Sequence, residues 1–139
     1  MKAAIWFRVA SVLIAIFALG HTLGFRQTDS KWGVDAALAS IRSIRFTTQG
    51  FARTYWDFYV GFGLFVTIFL LLAAVLAWQL GSLPASTFAT LRPLAWALTA
   101  TFAVVTLLSW RFFFLAPVLF SLLISGCLLA GTLLGQRSL

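Results

Sequence analysis

Four long apolar stretches constrain the fold of this chain more than any other feature. They cover residues 3–25, 55–80, 93–110 and 116–135. A helix of roughly 20 apolar residues crosses the hydrocarbon core of a bilayer, and a helix satisfies its own backbone hydrogen bonds there. The chain is 62% hydrophobic and 9% charged, whereas soluble domains carry roughly 25% charged residues. The sequence therefore predicts an all-α integral membrane protein with four spans.

Short connections between the later spans favour an antiparallel four-helix bundle. We predict a loop over residues 81–92 and a tight turn over residues 110–114. Pro93 and Pro117 are each suited to the first turn of a helix, where the missing N–H has no helical partner to lose. Because the spans fill the chain, we predict a single integral membrane domain over residues 1–139.

The polar segment of residues 26–54 predicts an amphipathic helix between spans one and two. Asp29 or Ser30 is suited to cap this helix. Its apolar positions recur at helical spacing: Val34, Leu38, Ile41 and Ile44. Such a helix either lies in the membrane interface or covers the end of the bundle. Residues 47–50 are expected to break the pattern and return the chain to the membrane.

The first apolar stretch has two interpretations. Lys2 and Arg8, an apolar core over residues 9–19, and a cleavage site at residues 18–20 match a secretory signal peptide. Residues 3–25 are also long enough for a membrane span, and we predict a retained membrane helix.

The basic charge of the chain favours membrane lipid as a partner. Ten Lys and Arg residues stand against three Asp residues, which gives a formal net charge of +7. The cations lie at the ends of apolar runs, where anionic lipid headgroups would meet them. No soluble basic face of the kind that binds nucleic acid is evident.

A polar cluster is predicted where span one ends and span two begins. By helical rise, His21 lies roughly 7 Å deeper than Arg26, and Asp57 lies roughly 6 Å deeper than Arg53. These values predict that His21 and Asp57 lie at similar depths on consecutive antiparallel helices. The predicted site contains His21, Arg26, Arg53, Tyr55, Asp57, Tyr59 and Arg111.

Asp57 and His21 each have a structural and a functional interpretation. Asp57 either caps the start of span two and pairs with an arginine, or it lines a polar pocket for a lipid headgroup. A carboxylate inside a bilayer costs up to about 3 kcal/mol, so it needs partners. His21 either bonds a neighbouring helix or takes part in function.

Several chemistries lack sequence support. The chain has no Walker loop or GxGxxG sequence for a nucleotide, and no HExxH or CxxC sequence for zinc. One histidine and one cysteine cannot build a zinc site alone. We therefore predict no metal site and no cofactor.

Two pairs of glycines predict close helix packing. Gly20 and Gly24 are four residues apart, as are Gly131 and Gly135. Such spacing lets a helix backbone approach closely. Each pair has three interpretations: packing within the bundle, contact between copies in a homo-oligomer, or contact with another membrane protein.

Two short sequences of this chain resemble those of known proteins. They are GHTLG at residues 20–24 and YWDFYVGFGLF at residues 55–65. They resemble uncharacterised small bacterial four-helix integral membrane proteins. The resemblance implies a multi-pass protein of the bacterial cytoplasmic (inner) membrane and offers no activity. A second likeness is to four-helix sterol-isomerase-like membrane proteins, which hold a lipid among their helices with acidic residues.

Three functions follow as hypotheses. The first is binding of a lipid-like, quinone-like or isoprenoid-like molecule, which requires a cavity that reaches Asp57. The second is a small structural or assembly subunit of a larger membrane complex. The third is an enzyme on a lipidic substrate, with His21 and Asp57 as an acid–base pair.

Overall fold

The computed structural model describes residues 2–136, and helices dominate it. Its α-helices are α1 (Lys2–Gly24), α2 (Asp35–Ser43), α3 (Tyr55–Leu80), α4 (Ala85–Phe112) and α5 (Leu115–Gln136). A 3-10 turn (Ser30–Trp32) precedes α2, and the strands β1 (Arg45–Thr48) and β2 (Phe51–Thr54) follow it. The predicted all-α class is confirmed.

Four helical segments within the described residues are long and apolar enough to cross a membrane. They are Ala3–Gly24, Tyr55–Leu80, Ala85–Phe112 and Leu115–Gly135. Large apolar side chains remain exposed along all four segments, which suits a lipid surrounding because lipid is as apolar as these side chains. The chain is a multi-pass membrane protein by this criterion, while the antiparallel bundle stays a prediction.

Contacts within the chain separate it into two compact units. Of the described residues, the first unit contains 2–18 and 69–136, and the second contains Leu19–Ile68. The prediction of one domain over residues 1–139 stays a prediction.

Phe7 occupies the centre of the first unit. It is fully buried, and its ring centroid lies 5.8 Å from that of Phe88. A Cβ added at Gly131 would lie 3.0 Å from Cε2 of Phe7, and one added at Gly135 would lie 2.5 Å from Cε1 of Phe88. The glycine pair of α5 therefore serves packing inside the chain, where it leaves room for two phenylalanine rings.

Hydroxyl groups add polar contacts between helices of the first unit. Ser11 Oγ donates to the carbonyl oxygen of Ala74 at 2.7 Å, which joins α1 to α3. The hydroxyls of Thr99 and Thr132 lie 3.4 Å apart between α4 and α5. Buried hydroxyls need such partners because water cannot reach them.

The third span begins earlier than the sequence predicted. Helix α4 starts at Ala85, after Pro84 as its N-cap residue, so Pro93 lies inside the helix. The predicted loop over residues 81–92 and the first-turn position of Pro93 are wrong. The reason is packing: Phe88 is buried against Phe7, and this contact holds the extra turns despite the hydrogen bond that Pro93 cannot make.

Helix α5 begins close to its predicted start. Pro117 lies in its first turn, where a backbone N–H has no helical acceptor. The turn between α4 and α5 is shorter than predicted, because Trp110 and Arg111 still belong to α4.

The linker between the first two spans differs from its prediction. Asp29 caps the 3-10 turn by accepting from the backbone N of Lys31 at 2.9 Å, and α2 begins only after Val34. The predicted cap of α2 at Asp29 or Ser30 is therefore wrong. The apolar periodicity still marks a helix, but a short one that ends before Ile44.

A β-hairpin stands where the sequence predicted only a break. Strands β1 and β2 pair antiparallel, with Arg45 opposite Thr54 and Phe46 opposite Arg53. Gln49 and Gly50 connect them with φ angles of 51° and 85°. Positive φ at both central residues gives the turn whose twist matches a two-stranded ribbon.

Candidate functional site

Asp57 forms a reciprocal cap with Thr54 at the start of α3. The backbone N of Thr54 donates to Asp57 Oδ2 at 2.8 Å, and the backbone N of Asp57 donates to Thr54 Oγ1 at 3.1 Å. This capping box satisfies two backbone donors that the helix start leaves free. Thr54 is buried, whereas Asp57 is exposed. The capping role proposed for Asp57 is thus present, and the carboxylate is held in a fixed position.

The hairpin places two arginines at the start of α3. Arg45 lies opposite Thr54 in the strand register, so it shares a face with the residue that caps α3. Arg53 lies one position before Thr54 and so on the other face. Its Nη1 donates to the Ala52 carbonyl oxygen at 2.8 Å, and its guanidinium lies 5.3 Å from the Phe51 ring centroid.

A groove on α3 contains both Arg53 and Asp57. Its volume is about 280 Å³, and its lining residues are Arg53, Asp57, Phe58, Gly61, Phe62 and Phe65. We call this cavity the α3 groove. The two charged residues are the N-terminal members of the set, and the remainder is apolar. The groove is therefore amphipathic, with a charged end and an apolar length.

Aromatic rings form the apolar length of the α3 groove. The ring centroids of Phe58 and Phe62 lie 6.4 Å apart, and those of Phe62 and Phe65 lie 6.5 Å apart. Phe46 of the hairpin stacks on Phe58 at 5.8 Å, and it also lies 5.0 Å from the Tyr55 ring. Contact between the hairpin and α3 thus supports the charged end of the groove.

His21 bonds α3 well away from Asp57. Its Nε2 lies 3.0 Å from the carbonyl oxygen of Gly63. Since a carbonyl oxygen only accepts, this nitrogen carries the proton in that bond. The ring stacks on Phe25 with centroids 5.1 Å apart. Thr67 Oγ1 also donates to the Gly63 carbonyl, at 3.2 Å.

The prediction that His21 and Asp57 lie at similar depths is wrong. Gly63 follows Asp57 by six residues, or about 9 Å along the helix axis. The prediction counted helical rise from Arg26 and Arg53 and did not include the packing of Phe25. The Phe25 ring fits against α3 only because Gly63 has no side chain. The hydrogen bonds of His21 and Asp57 go to different partners.

Tyr59 connects the end of α1 to α3. Its hydroxyl donates to the carbonyl oxygen of Phe25, and its ring lies 5.2 Å from that of Trp56. Arg26 stands beside this contact, with its guanidinium 5.3 Å from the Phe25 ring centroid.

Six of the seven predicted site residues lie in the second unit, where they have different partners. Arg53 and Asp57 line the α3 groove. Tyr55 contacts Phe46 of the hairpin, and His21, Arg26 and Tyr59 each contact Phe25, the residue after α1. Arg111 belongs to the first compact unit, where its guanidinium lies 5.2 Å from the Phe112 ring.

A second cleft lies beside α2. Its volume is about 210 Å³, and its lining residues are Phe25, Gln27, Thr28, Trp32, Val34, Leu38, Ile41, Trp56 and Tyr59. Arg42 approaches this region with its guanidinium 4.2 Å from the Trp56 ring centroid. The apolar face predicted for α2 thus turns toward the start of α3.

Sequence reasoning found the charged end of the groove and missed its apolar walls. Phe58, Phe62 and Phe65 recur at helical spacing, which was a usable signal. In a helix that is apolar all round, however, this spacing does not distinguish one face from another. Gly61 was likewise one small residue among several.

The chain matches no protein-family model, no curated protein and no solved structure. Within residues 2–136, no three His, Cys, Asp or Glu side chains are grouped closely enough to hold a metal ion.

Proposed function

We propose that this chain is a multi-pass protein of the bacterial cytoplasmic membrane that binds a lipid-like molecule in the α3 groove. The observation that supports this proposal is the amphipathic lining of the groove. Arg53 and Asp57 lie at one end, and Phe58, Phe62 and Phe65 supply the apolar length. A lipid, a quinone or an isoprenoid has the matching division into a polar head and an apolar tail.

The fixed position of Asp57 strengthens this proposal. Its Oδ2 is committed to the backbone of Thr54, so the carboxylate is held in place before a ligand arrives. A preorganised group loses little conformational freedom on binding. A lipid headgroup would thus meet a carboxylate and a guanidinium at the end of an apolar surface.

The experiment is native mass spectrometry of the gently solubilised protein together with the Gly61→Leu variant. Gly61 lines the groove, and a Cβ added there meets no atom outside its own stretch of helix within 4 Å, so we expect the leucine side chain to fill groove space and leave the fold intact. We expect a bound molecule of fixed mass in the natural protein and its loss in the variant.

The matched control is Gly126→Leu, which also adds a side chain at a helical glycine with open space around it. Gly126 does not line the α3 groove. Retention of the bound molecule in this control, with loss in Gly61→Leu, supports the proposal. Equal retention in both variants, or no bound molecule at all, contradicts it.

Assembly with another membrane helix is the second candidate function. Gly20 and Gly24 are exposed, and a Cβ at either position would meet no heavy atom of the chain within 4 Å. This open pair leaves α1 accessible to a neighbouring helix, either from a second copy or from a partner subunit. Loss of a higher-mass assembly in Gly24→Leu, with retention in Gly126→Leu, would support it.

The proposed enzymatic role has less support than binding. An acid–base pair needs both groups within hydrogen-bond reach of the reacting atoms. His21 bonds the Gly63 carbonyl within α3, whereas Asp57 bonds Thr54, the residue directly before α3.

A further inference from the structure

We infer that the α3 groove selects a phospholipid whose headgroup carries both a phosphate and a primary ammonium, as in phosphatidylethanolamine. This inference rests on the proposed function and names the ligand class for the same site. It follows from the two opposite charges at one end of the groove, Arg53 and Asp57.

The opposite charges of Arg53 and Asp57 disfavour a headgroup that carries charge of only one sign. An anionic headgroup would meet the guanidinium of Arg53 but would be repelled by the Asp57 carboxylate. A headgroup without a phosphate would leave Arg53 without an anion. A zwitterionic headgroup offers an opposite charge to each, and like-charge contact is a common source of specificity against the wrong partner.

The carboxylate also distinguishes between zwitterionic headgroups. A primary ammonium has N–H groups that donate charge-assisted hydrogen bonds to a carboxylate, whereas the quaternary ammonium of phosphatidylcholine has none. Asp57 already directs Oδ2 to the Thr54 backbone, so the carboxylate presents a fixed acceptor. Phosphatidylethanolamine is therefore favoured over phosphatidylcholine by hydrogen bonding.

The groove offers a separate contact to each part of this lipid. Arg53 is the arginine that lines the groove and would meet the phosphate, and the rings of Phe58, Phe62 and Phe65 would meet the acyl chain. Arg45 lies opposite Thr54 in the strand register, on the other face of the hairpin from Arg53, and does not line the groove.

The test is a titration of the purified full-length protein with three phospholipids of identical acyl chains, read by native mass spectrometry. The lipids are phosphatidylethanolamine, phosphatidylcholine and phosphatidylglycerol. An exposed ion pair changes affinity by about threefold, so we expect phosphatidylethanolamine to bind about threefold more tightly than either of the others. The variant Asp57→Asn should abolish this preference, because asparagine retains a cap acceptor but not the charge.

Two further variants separate the roles of the charges. Arg53→Gln should weaken all three lipids, since each carries a phosphate. Asp35→Asn is the control, because Asp35 is an exposed aspartate of the same unit that does not line the groove. It should leave the preference unchanged.

The outcomes distinguish this inference from the proposed function. If the three lipids bind equally while Gly61→Leu still removes them, the groove binds lipid but the headgroup inference is wrong. A preference that persists in Asp57→Asn overturns it as well. If none of the three phospholipids binds while the purified protein still carries a molecule of fixed mass that Gly61→Leu removes, the headgroup inference is wrong and the proposed function stands. If no molecule binds at all, the proposed function itself is wrong.

Discussion

Gly63 and Phe25 occupy the same space: a side chain on Gly63 would overlap the Phe25 ring. The ring lies over this glycine and stacks on His21, whose Nε2 bonds the Gly63 carbonyl oxygen. Gly63 thus determines the position along α3 at which the end of α1 and Phe25 pack. Because His21 packs at this position, it lies apart from Asp57.

Gly63→Ala should destabilise the protein by about 1–3 kcal/mol, because the added methyl forces the Phe25 ring out of its position. The measurement is the thermal unfolding midpoint in detergent. Gly61→Ala is the matched control, since position 61 of the same helix has open space, and alanine is the better helix former. A midpoint that rises in Gly63→Ala as much as in Gly61→Ala would show that Phe25 does not pack there.

Thr54→Ala should cost about 1 kcal/mol of stability, because it removes the hydroxyl that accepts from the backbone N of Asp57. Thr54→Ser retains the hydroxyl and should lose much less. Both variants are compared by thermal unfolding in the same detergent. Equal losses in the two variants would assign the effect to packing of the buried methyl group rather than to capping.

The two side-chain donors on the Gly63 carbonyl predict small losses that add. His21→Phe and Thr67→Val each remove one of these donors, and each should cost about 1 kcal/mol. The double variant still leaves the carbonyl its helical donor, the backbone N–H of Thr67, so no acceptor is orphaned. A double-mutant cycle by thermal unfolding measures the sum, and a loss well above the sum of the single losses would contradict this account.

Gly131→Leu should destabilise the first unit, because its side chain would press on the buried ring of Phe7. Overpacking of this kind costs about 1–3 kcal/mol. Gly126→Leu adds the same side chain on the same helix at a position with open space. Comparable unfolding midpoints for the two variants would place Gly131 outside the core.

The sequence predicted the helices well and their boundaries less well. Long apolar stretches identify membrane helices by length alone, which is why α1, α3 and α5 agree closely with prediction. Helix α4 was placed too late because Pro93 was taken as its start, whereas burial of Phe88 extends it. The hairpin was missed because residues 44–54 were expected to be helix end and connection.

The candidate site was predicted only in part. Asp57 and Arg53 stood out because charges are rare in this chain. Their grouping with His21 failed because depth along a helix does not fix the register of two helices. That register depends on ring packing at Gly63.

By itself, the sequence determined the class of this protein and its solvent, because 62% apolar residues in long runs cannot be buried inside a small soluble core. It also determined that a carboxylate lies at the start of the second span. The tertiary structure decided what surrounds that carboxylate. Contacts of Phe46 with Phe58 and of Thr54 with Asp57 build the charged end of a groove. Such contacts depend on how side chains of different helices and strands fit together. The sequence of a helix that is apolar on every face does not specify this fit.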